Sequence, residues 1–286
     1  MQNLILIILT SHRRDCFWQC IQNLERYTDL ALFSKIYVLA NEVEPEHNAL
    51  IQGFKRRHPN VRDIHCSPRG LGGCVIAMQN AVLKAHRKAL VVKMDEDLYV
   101  TAGWLEGLLD VYQRHATDPK AILFSPVVPN NWVGRHCLRS HLVEWYGLDF
   151  NDRLNTWYPV HTNTEYGVWV WNKVLEDDLE GRIRQRATVA DDFRFDEALN
   201  INCILFDSRL IDLVLPFRRS DEVEINACLK PRGLHAIMTL HSVAHHYSFG
   251  PQQQGIDEAV GMTRVARYFD ERASLVQNST TPSNGR

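Results

Sequence analysis

ALVVKM at residues 89–94, followed at once by Asp95, Glu96 and Asp97, is the stretch on which the reading of the fold turns. A short continuous apolar run that stops abruptly at polar residues is the pattern of a strand buried on both faces. Downstream, GWLEGLLDVYQR at 103–114 has the apolar spacing of a helix. Upstream, CVIAMQNAVLKA at 74–85 is a second helix-like segment, entered through Arg69-Gly70-Leu71-Gly72-Gly73. Working outward, the alternation repeats. LILIILT at 4–10 and KIYVLA at 35–40 read as buried strands, with shorter ones at 61–66 and 121–125. Helices are expected from Asp15, as a cap, to about Tyr27, and over 48–58 before Pro59. Strands alternating with crossover helices predict an α/β fold: a mainly parallel, Rossmann-like central sheet flanked by helices. Such sheets take ligands beyond the carboxyl ends of their strands. Ser11, Asn41, Ser67 and Asp95 fall there.

From Pro126 the rhythm is lost. Residues 126–200 hold Trp132, Trp145, Trp157, Trp169 and Trp171, five of the seven tryptophans. Aromatic faces stack on the C–H faces of sugar rings, and they also fill cores. Asp191 and Asp192, in ATVADDFRFDE, read as solvated. Order returns with an apolar segment at 201–206, helices at 208–215 and 221–229, and a strand at 236–240. That strand leads into His241-Ser242-Val243-Ala244-His245-His246. The expected organisation is a first half over 1–125, a second half of the same domain over 126–272, and a disordered polar tail over 273–286.

With 286 residues, 45% hydrophobic and 23% charged, the chain has the composition of a globular protein. Lys and Arg total 32 against 34 for Asp and Glu, so no charge excess favours nucleic acid. The apolar run at 4–9 is too short to span a bilayer and lacks the flanks of a signal peptide. Seven cysteines without a CxxC pair argue against a disulfide framework or a structural zinc site. A reducing, cytoplasmic setting is the expectation.

Asp95 and Asp97 lie two apart on an extended backbone, so both carboxylates can point the same way at the ligand edge. Hard oxygen donors in that place suit Mg²⁺ or Mn²⁺ on a diphosphate. The Arg69–Gly73 loop ahead of a helix can offer backbone N–H groups and a cation to phosphate. Asp221, Glu222 and Glu224 open a predicted helix, which the helix dipole alone would favour. One of them can also serve as a general base. His245 and His246 are neighbours on a strand and face opposite ways, so at most one binds a ligand, with His246 favoured.

In order along the chain, these stretches resemble the family 2 glycosyltransferases of GT-A fold. LVVKMDEDLYVTAGWLEGLL looks like the DxD region, and RGLGGCVIAMQNAV is similar to the glycine-rich loop and helix before it. LILIILT running into SHRR resembles the opening of the nucleotide pocket. SDEVEINACLKPRG is similar to the segment of the acidic catalytic pair, and HSVAHHYSFG to the closing strand and its histidine. The resemblance implies a glycosyltransferase that moves a sugar from a nucleotide-sugar donor to a carbohydrate or other hydroxyl-bearing acceptor, with inversion. It implies Mn²⁺ or Mg²⁺ held by Asp97, Asp95 and His246, and catalysis by Glu222, with Asp221 as second choice. Donor contacts fall to Thr10, Ser11, Arg13, Glu42, Arg69, Gly70, Asp95 and Glu96. After the second strand the family has an acidic pair with Gly and Ser. Here Ala40-Asn41-Glu42-Val43-Glu44 stands instead, and Glu42 takes over that contact. Other classes fit less well. A nucleotidyltransferase would carry a glycine-rich turn after the first strand, where SHRRD has no glycine. A phosphohydrolase would end that strand in Asp, where Thr10-Ser11-His12 stands. A catalytically silent carbohydrate-binding protein, using the tryptophans, stays open.

Overall fold

Strand β1 (Leu4–Thr10) is apolar and buried along its length, because it is paired on both edges. The computed structural model describes residues 3–66, 72–148, 160–188, 192–196 and 199–280. β1 lies between β2 (Lys35–Asn41) and β4 (Leu90–Asp95), parallel to both, and β3 (Val61–Cys66) extends the same parallel group. The crossovers run through α1 (Arg14–Tyr27), α2 (Pro45–Arg57) and α3 (Gly72–Ala85). α2 starts three residues before the expected Asn48, with Pro45 at a position where its fixed φ suits a first turn. Asp15 does not cap α1; it lies in the first turn.

Beyond β4 the sheet changes character. β5 (Leu98–Val100) and α4 (Trp104–Arg114) precede β6 (Ala121–Val127), and β8 (Cys203–Phe206) slots antiparallel between β4 and β6. β9 (His235–His246) pairs parallel with β6, and antiparallel with β5 and with β7 (Asp192–Phe195). The nine-stranded sheet is therefore mixed rather than mainly parallel. A short run buried on both faces reads the same in either direction, so the 201–206 segment could not disclose its antiparallel sense.

β9 is what brings the far half to the ligand edge. Its register against β6 slips between Thr239 and Val243, after which the strand passes to β5 and sets His246 opposite Leu98. α4 lies so close to this bend that a Cβ at Gly107 would overlap the carbonyl of His241. The stretch expected to lack rhythm is helical: α5 (Trp132–Tyr146), α6 (Thr164–Asp177) and α7 (Leu179–Arg186). Asn131 caps α5 by accepting from the Gly134 amide, and Asn163 caps α6 by accepting from Tyr166. α8 (Ser208–Val214), α9 (Asp221–Leu229), α10 (Gln253–Ala259) and α11 (Met262–Thr280) complete the order. α11 runs on past Arg272, where the polar tail was expected to begin.

Two further expectations change. Cys66 and Cys74 form a disulfide, with Cα atoms 5.9 Å apart, while Cys16, Cys20, Cys137, Cys203 and Cys228 are free and buried. The pair lies eight positions apart, a spacing that carries no motif. The argument from cysteine usage to a reducing compartment thus loses its premise. Asp192 is not solvated: its side chain is 5% exposed and pairs with Arg114 at 2.9 Å and His115 at 3.0 Å. Among the described residues no helix is long and apolar enough to cross a membrane.

Candidate active site at the acidic turn

Asp95 is the last residue of β4, and its register opposite Leu9 places the following turn beside Thr10. Glu96 points inward. Its Oε2 accepts from Thr10 Oγ1 at 2.5 Å and from the Ser11 amide at 3.1 Å. Its Oε1 accepts from Ser11 Oγ at 3.3 Å and from the Arg13 amide at 3.4 Å. Thr10 Oγ1 also lies 2.8 Å from His47 Nε2. The hydroxyl has one proton and gives it to Glu96, so His47 must donate from Nε2 in its neutral form. Burial, with Arg14 adding to it, holds the His47 pKa down at about 4, which agrees with that assignment. Glu96, placed by the family resemblance among the donor contacts, fastens the turn between β1 and α1.

Asp95 and Asp97 face the other way. Asp97 Oδ2 lies 3.2 Å from His246 Nε2, the two brought together by the β5–β9 pairing. Burial works against the ionised Asp97, but the facing imidazole outweighs it and leaves the carboxyl below its ordinary pKa. Burial likewise disfavours a charged His246, yet Asp97 and then Asp95 raise its pKa. The ring packs on Phe249 at 4.3 Å between centroids, and its backbone carbonyl accepts from Asn130 Nδ2. Among the described residues no three His, Cys, Asp or Glu side chains gather into a complete metal cage. The Asp97–His246 pair nevertheless fits as an anchor. Cis ligands at about 2.1 Å from an octahedral ion stand about 3.0 Å apart, close to the 3.2 Å seen here. A carboxylate with an imidazole suits Mn²⁺ better than Mg²⁺, which prefers oxygen alone. The His246 proton must leave for the ring to bind a cation.

Asp95 is drawn toward a second group. Asn202 Nδ2 donates to Asp95 Oδ2 at 3.1 Å, and the Asp95 amide donates to the Asn202 carbonyl at 3.0 Å. Lys93 Nζ lies 3.5 Å from Asp95 Oδ1 and 2.9 Å from Asp221 Oδ2. Burial, opposed by Lys93 and reinforced by Asp97 and Asp221, raises the Asp95 pKa. At the start of α9 the acidic residues divide their work. Glu224 Oε1 accepts from the amides of Arg218 and Arg219, both at 2.7 Å, which makes it the structural member. Asp221 is turned to Lys93. Glu222 is left exposed, its pKa raised by partial desolvation that Lys93 opposes and Asp221 supports.

Asp95, Asp97 and His246 open on a cleft of about 380 Å³, in the range of small-ligand sites. Thr10, Ser11, Arg13, Asn41, Asp95, Glu96, Asp97 and His246 line it. Arg13 is buried beneath it, its guanidinium 3.4 Å from both Ser248 Oγ and Asp257 Oδ1. Glu42, just past β2, has a left-handed backbone (φ 47°), and its buried Oε2 has no hydrogen-bond partner among the described residues. Arg69 and Gly70 lie outside the described residues.

Solved structures of similar fold include glycosyltransferases. GalNAc-T7, crystallised with UDP, GalNAc and Mn²⁺, superposes with a TM-score of 0.54 at 13% identity, over 88% of this chain and 45% of that one. The mannosyltransferase PcManGT from Pyrobaculum calidifontis, in complex with GDP-Man and Mn²⁺, gives 0.52 at 10% identity, over 100% and 76%. The chain has a GT-A-type fold. It spans less than half of GalNAc-T7. Neither a protein-family model nor a curated protein sequence matches it.

Within this GT-A fold, four site residues escaped the sequence reading: Lys93, Asn202, His47 and Asn130. Lys93 carried a usable signal, since a charge inside a strand buried on both faces must find a partner. The other three were placed by pairings between distant segments, which no local pattern shows. His245 turns away from the cleft, 3.8 Å from Glu180. Of the tryptophans, Trp171 is buried and donates to the Tyr247 carbonyl, Trp145 and Trp169 are half-buried, and Trp132 is exposed just past the end of β6. Trp157 lies outside the described residues.

Proposed function

We propose that the protein is a glycosyltransferase that moves a sugar from a nucleoside diphosphate donor to an acceptor hydroxyl, inverting the anomeric centre by direct displacement. What supports this most is the pairing of Asp97 with His246 at 3.2 Å in the cleft that Asp95 also lines, with Lys93 linking Asp95 to Asp221, the chain neighbour of the exposed Glu222. The two glycosyltransferase structures of like fold, each holding Mn²⁺, agree with it. A bound Mn²⁺ would supply charge neutralisation for the departing diphosphate.

This chain's own residues do the rest. Asp97 and His246 would hold the cation, and the buried Arg13 would stand behind the phosphates. Asn41 and Glu42 would meet the nucleoside, where Asn41 Oδ1 and Glu42 Oε2 have no hydrogen-bond partner among the described residues. Glu222 would take the proton from the acceptor hydroxyl as the new bond forms, since an alcohol is a poor nucleophile at neutral pH. Asp221 is engaged with Lys93 and so is the weaker candidate for that task. In this reading residues 1–125 carry the donor side, and 126–272 the acceptor side and the base.

Titration calorimetry of UDP and GDP, with Mn²⁺ and again with EDTA, tests the reading. The expected result is binding of at least one nucleotide that Mn²⁺ strengthens. Equal affinity in both conditions, or no binding of either nucleotide, would overturn it.

A further inference from the structure

Lys93 sits in the middle of a strand that is otherwise apolar up to Asp95. Its side chain is 5% exposed. The ammonium meets acceptors from three segments far apart in the chain: Asp221 Oδ2 at 2.9 Å, Asp95 Oδ1 at 3.5 Å and the Ile201 carbonyl at 3.5 Å. The two carboxylates are ion-pair partners, and the carbonyl accepts a hydrogen bond. A lysine is almost never buried this deeply unless it is paired.

The position of this cation matters more than its charge balance. It ties the end of β4 to the segment entering β8 and to the first turn of α9. Asn202, next to Ile201, repeats the link through its bond to Asp95. Asp221 immediately precedes Glu222, so whatever fixes Asp221 fixes where the exposed carboxylate stands relative to Asp97 and His246. The nucleotide end of the cleft is anchored separately, by Glu96, Thr10 and His47.

We infer that Lys93 is a positioning residue for transfer: it clamps Asp221 to Asp95 so that Glu222 is held at the acceptor hydroxyl. This rests on the glycosyltransferase reading above. A group displaced by about an ångström from its aligned place can cost about 100-fold in rate. Lys93 reaches Asp95, Asp221 and the Ile201 carbonyl rather than Asp97 or His246, so its loss is expected to appear in kcat and not in donor KM.

The test compares the parent with Lys93→Met, Asp221→Asn and the double variant. Release of nucleoside diphosphate from UDP-N-acetylgalactosamine and GDP-mannose is followed with water as acceptor, beside Mn²⁺-dependent nucleotide binding by calorimetry. The expected outcome is a kcat about 100-fold lower in all three variants, equal in the singles and the double, with KM and nucleotide affinity unchanged. The double variant removes both charges of the Lys93–Asp221 pair, so it should fold even where Lys93→Met does not. If Lys93 served charge balance alone, the double variant would turn over like the parent, which overturns the proposal. A folded Lys93→Met with parental kcat overturns it too, as does failure of both Lys93 variants to fold, which assigns the lysine to the core alone. In each of these cases parental nucleotide binding and release leave the glycosyltransferase reading standing. A parent that binds neither nucleotide, or binds one but never releases it from a sugar, overturns that reading and this one together.

Discussion

The two faces of the acidic turn are built on opposite principles. On one side Glu96 is saturated: a threonine hydroxyl and two amides reach its carboxylate, and His47 backs the threonine. On the other side Asp97 meets His246, whose buried Nδ1 has no hydrogen-bond partner among the described residues, and the same holds for an oxygen of Asn41, which lines the cleft, and of Asn202, which donates to Asp95. Buried polar groups in folded proteins are nearly always satisfied. A saturated carboxylate needs nothing more to explain it, whereas a cluster of unsatisfied groups around an opening is poised for a ligand. Three consecutive acidic residues therefore divide by alternation into a structural one and two facing the site.

The largest effect expected from this contrast lies at the rim. Glu222→Gln keeps the shape of the side chain and removes its basicity. Transfer should fall about 10²–10⁴-fold, equivalent to about 2.7–5.4 kcal/mol of barrier, while Mn²⁺-dependent nucleotide binding is kept. Steady-state kinetics beside calorimetry reads both, and an unchanged kcat would remove Glu222 from the base role.

Next comes the unsatisfied face itself. Asp97→Asn should abolish the strengthening of nucleotide binding by Mn²⁺ and leave the fold intact, because Asp97 carries no saturated network. In a thermal-shift assay, a ligand at about 100 times its Kd stabilises the parent by about 2.7 kcal/mol. That increment should vanish in the variant. A variant that still responds to Mn²⁺ would move the cation site elsewhere.

The saturated face should show its nature in acid. His47 is neutral in the folded protein, with a pKa of about 4, below the ordinary value of 6.5. The unfolded chain takes up that proton first as pH falls. The stability tied to neutral His47 is thus complete above about pH 6.5 and is lost as pH drops toward 4, by at most about 3 kcal/mol. His47→Gln can still donate to Thr10 but cannot titrate. Its urea midpoint should decline less between those pH values than that of the parent, and parallel declines would refute the assignment.

The sequence disclosed one of these halves far better than the other. The parallel group β1 to β4 announced itself through three apolar runs and one shorter strand separated by helical spacing, and the acidic turn followed from where the last run stops. The helices after Pro126 were hidden by composition. Val133, Cys137, Leu138 and Leu142 do follow helical spacing in α5, but Trp, His and Arg between them mask the stripe. β8 gave no hint of its direction, and the union of Asp97 with His246 depends on a register slip in β9 that no local pattern encodes. The disulfide between Cys66 and Cys74 was invisible because its spacing matches no motif.

The smallest expected effect is at Glu42, where the contrast between the two faces can be sharpened in one residue. Its φ of 47° is a conformation that side chains other than glycine adopt at a cost. Its buried Oε2 has no hydrogen-bond partner among the described residues, and its amide donates to the Cys66 carbonyl at 3.0 Å. Strain held in place beside an unsatisfied acceptor is a pattern that clusters at ligand sites. Glu42→Gly removes both the strain and the acceptor. Relief of the left-handed backbone should stabilise the fold by up to about 1 kcal/mol, reduced by the extra entropy that glycine gives the unfolded chain. Nucleoside affinity should move the opposite way, weakening several-fold with the Mn²⁺ response intact. Glu42→Ala separates the two effects: it loses the acceptor but keeps the strained backbone, so its binding should weaken without any gain in stability. Denaturant titration and nucleotide calorimetry on the pair of variants decide the matter. If both bind nucleotide as the parent does, Glu42 belongs with Glu96 among the residues that only hold the frame.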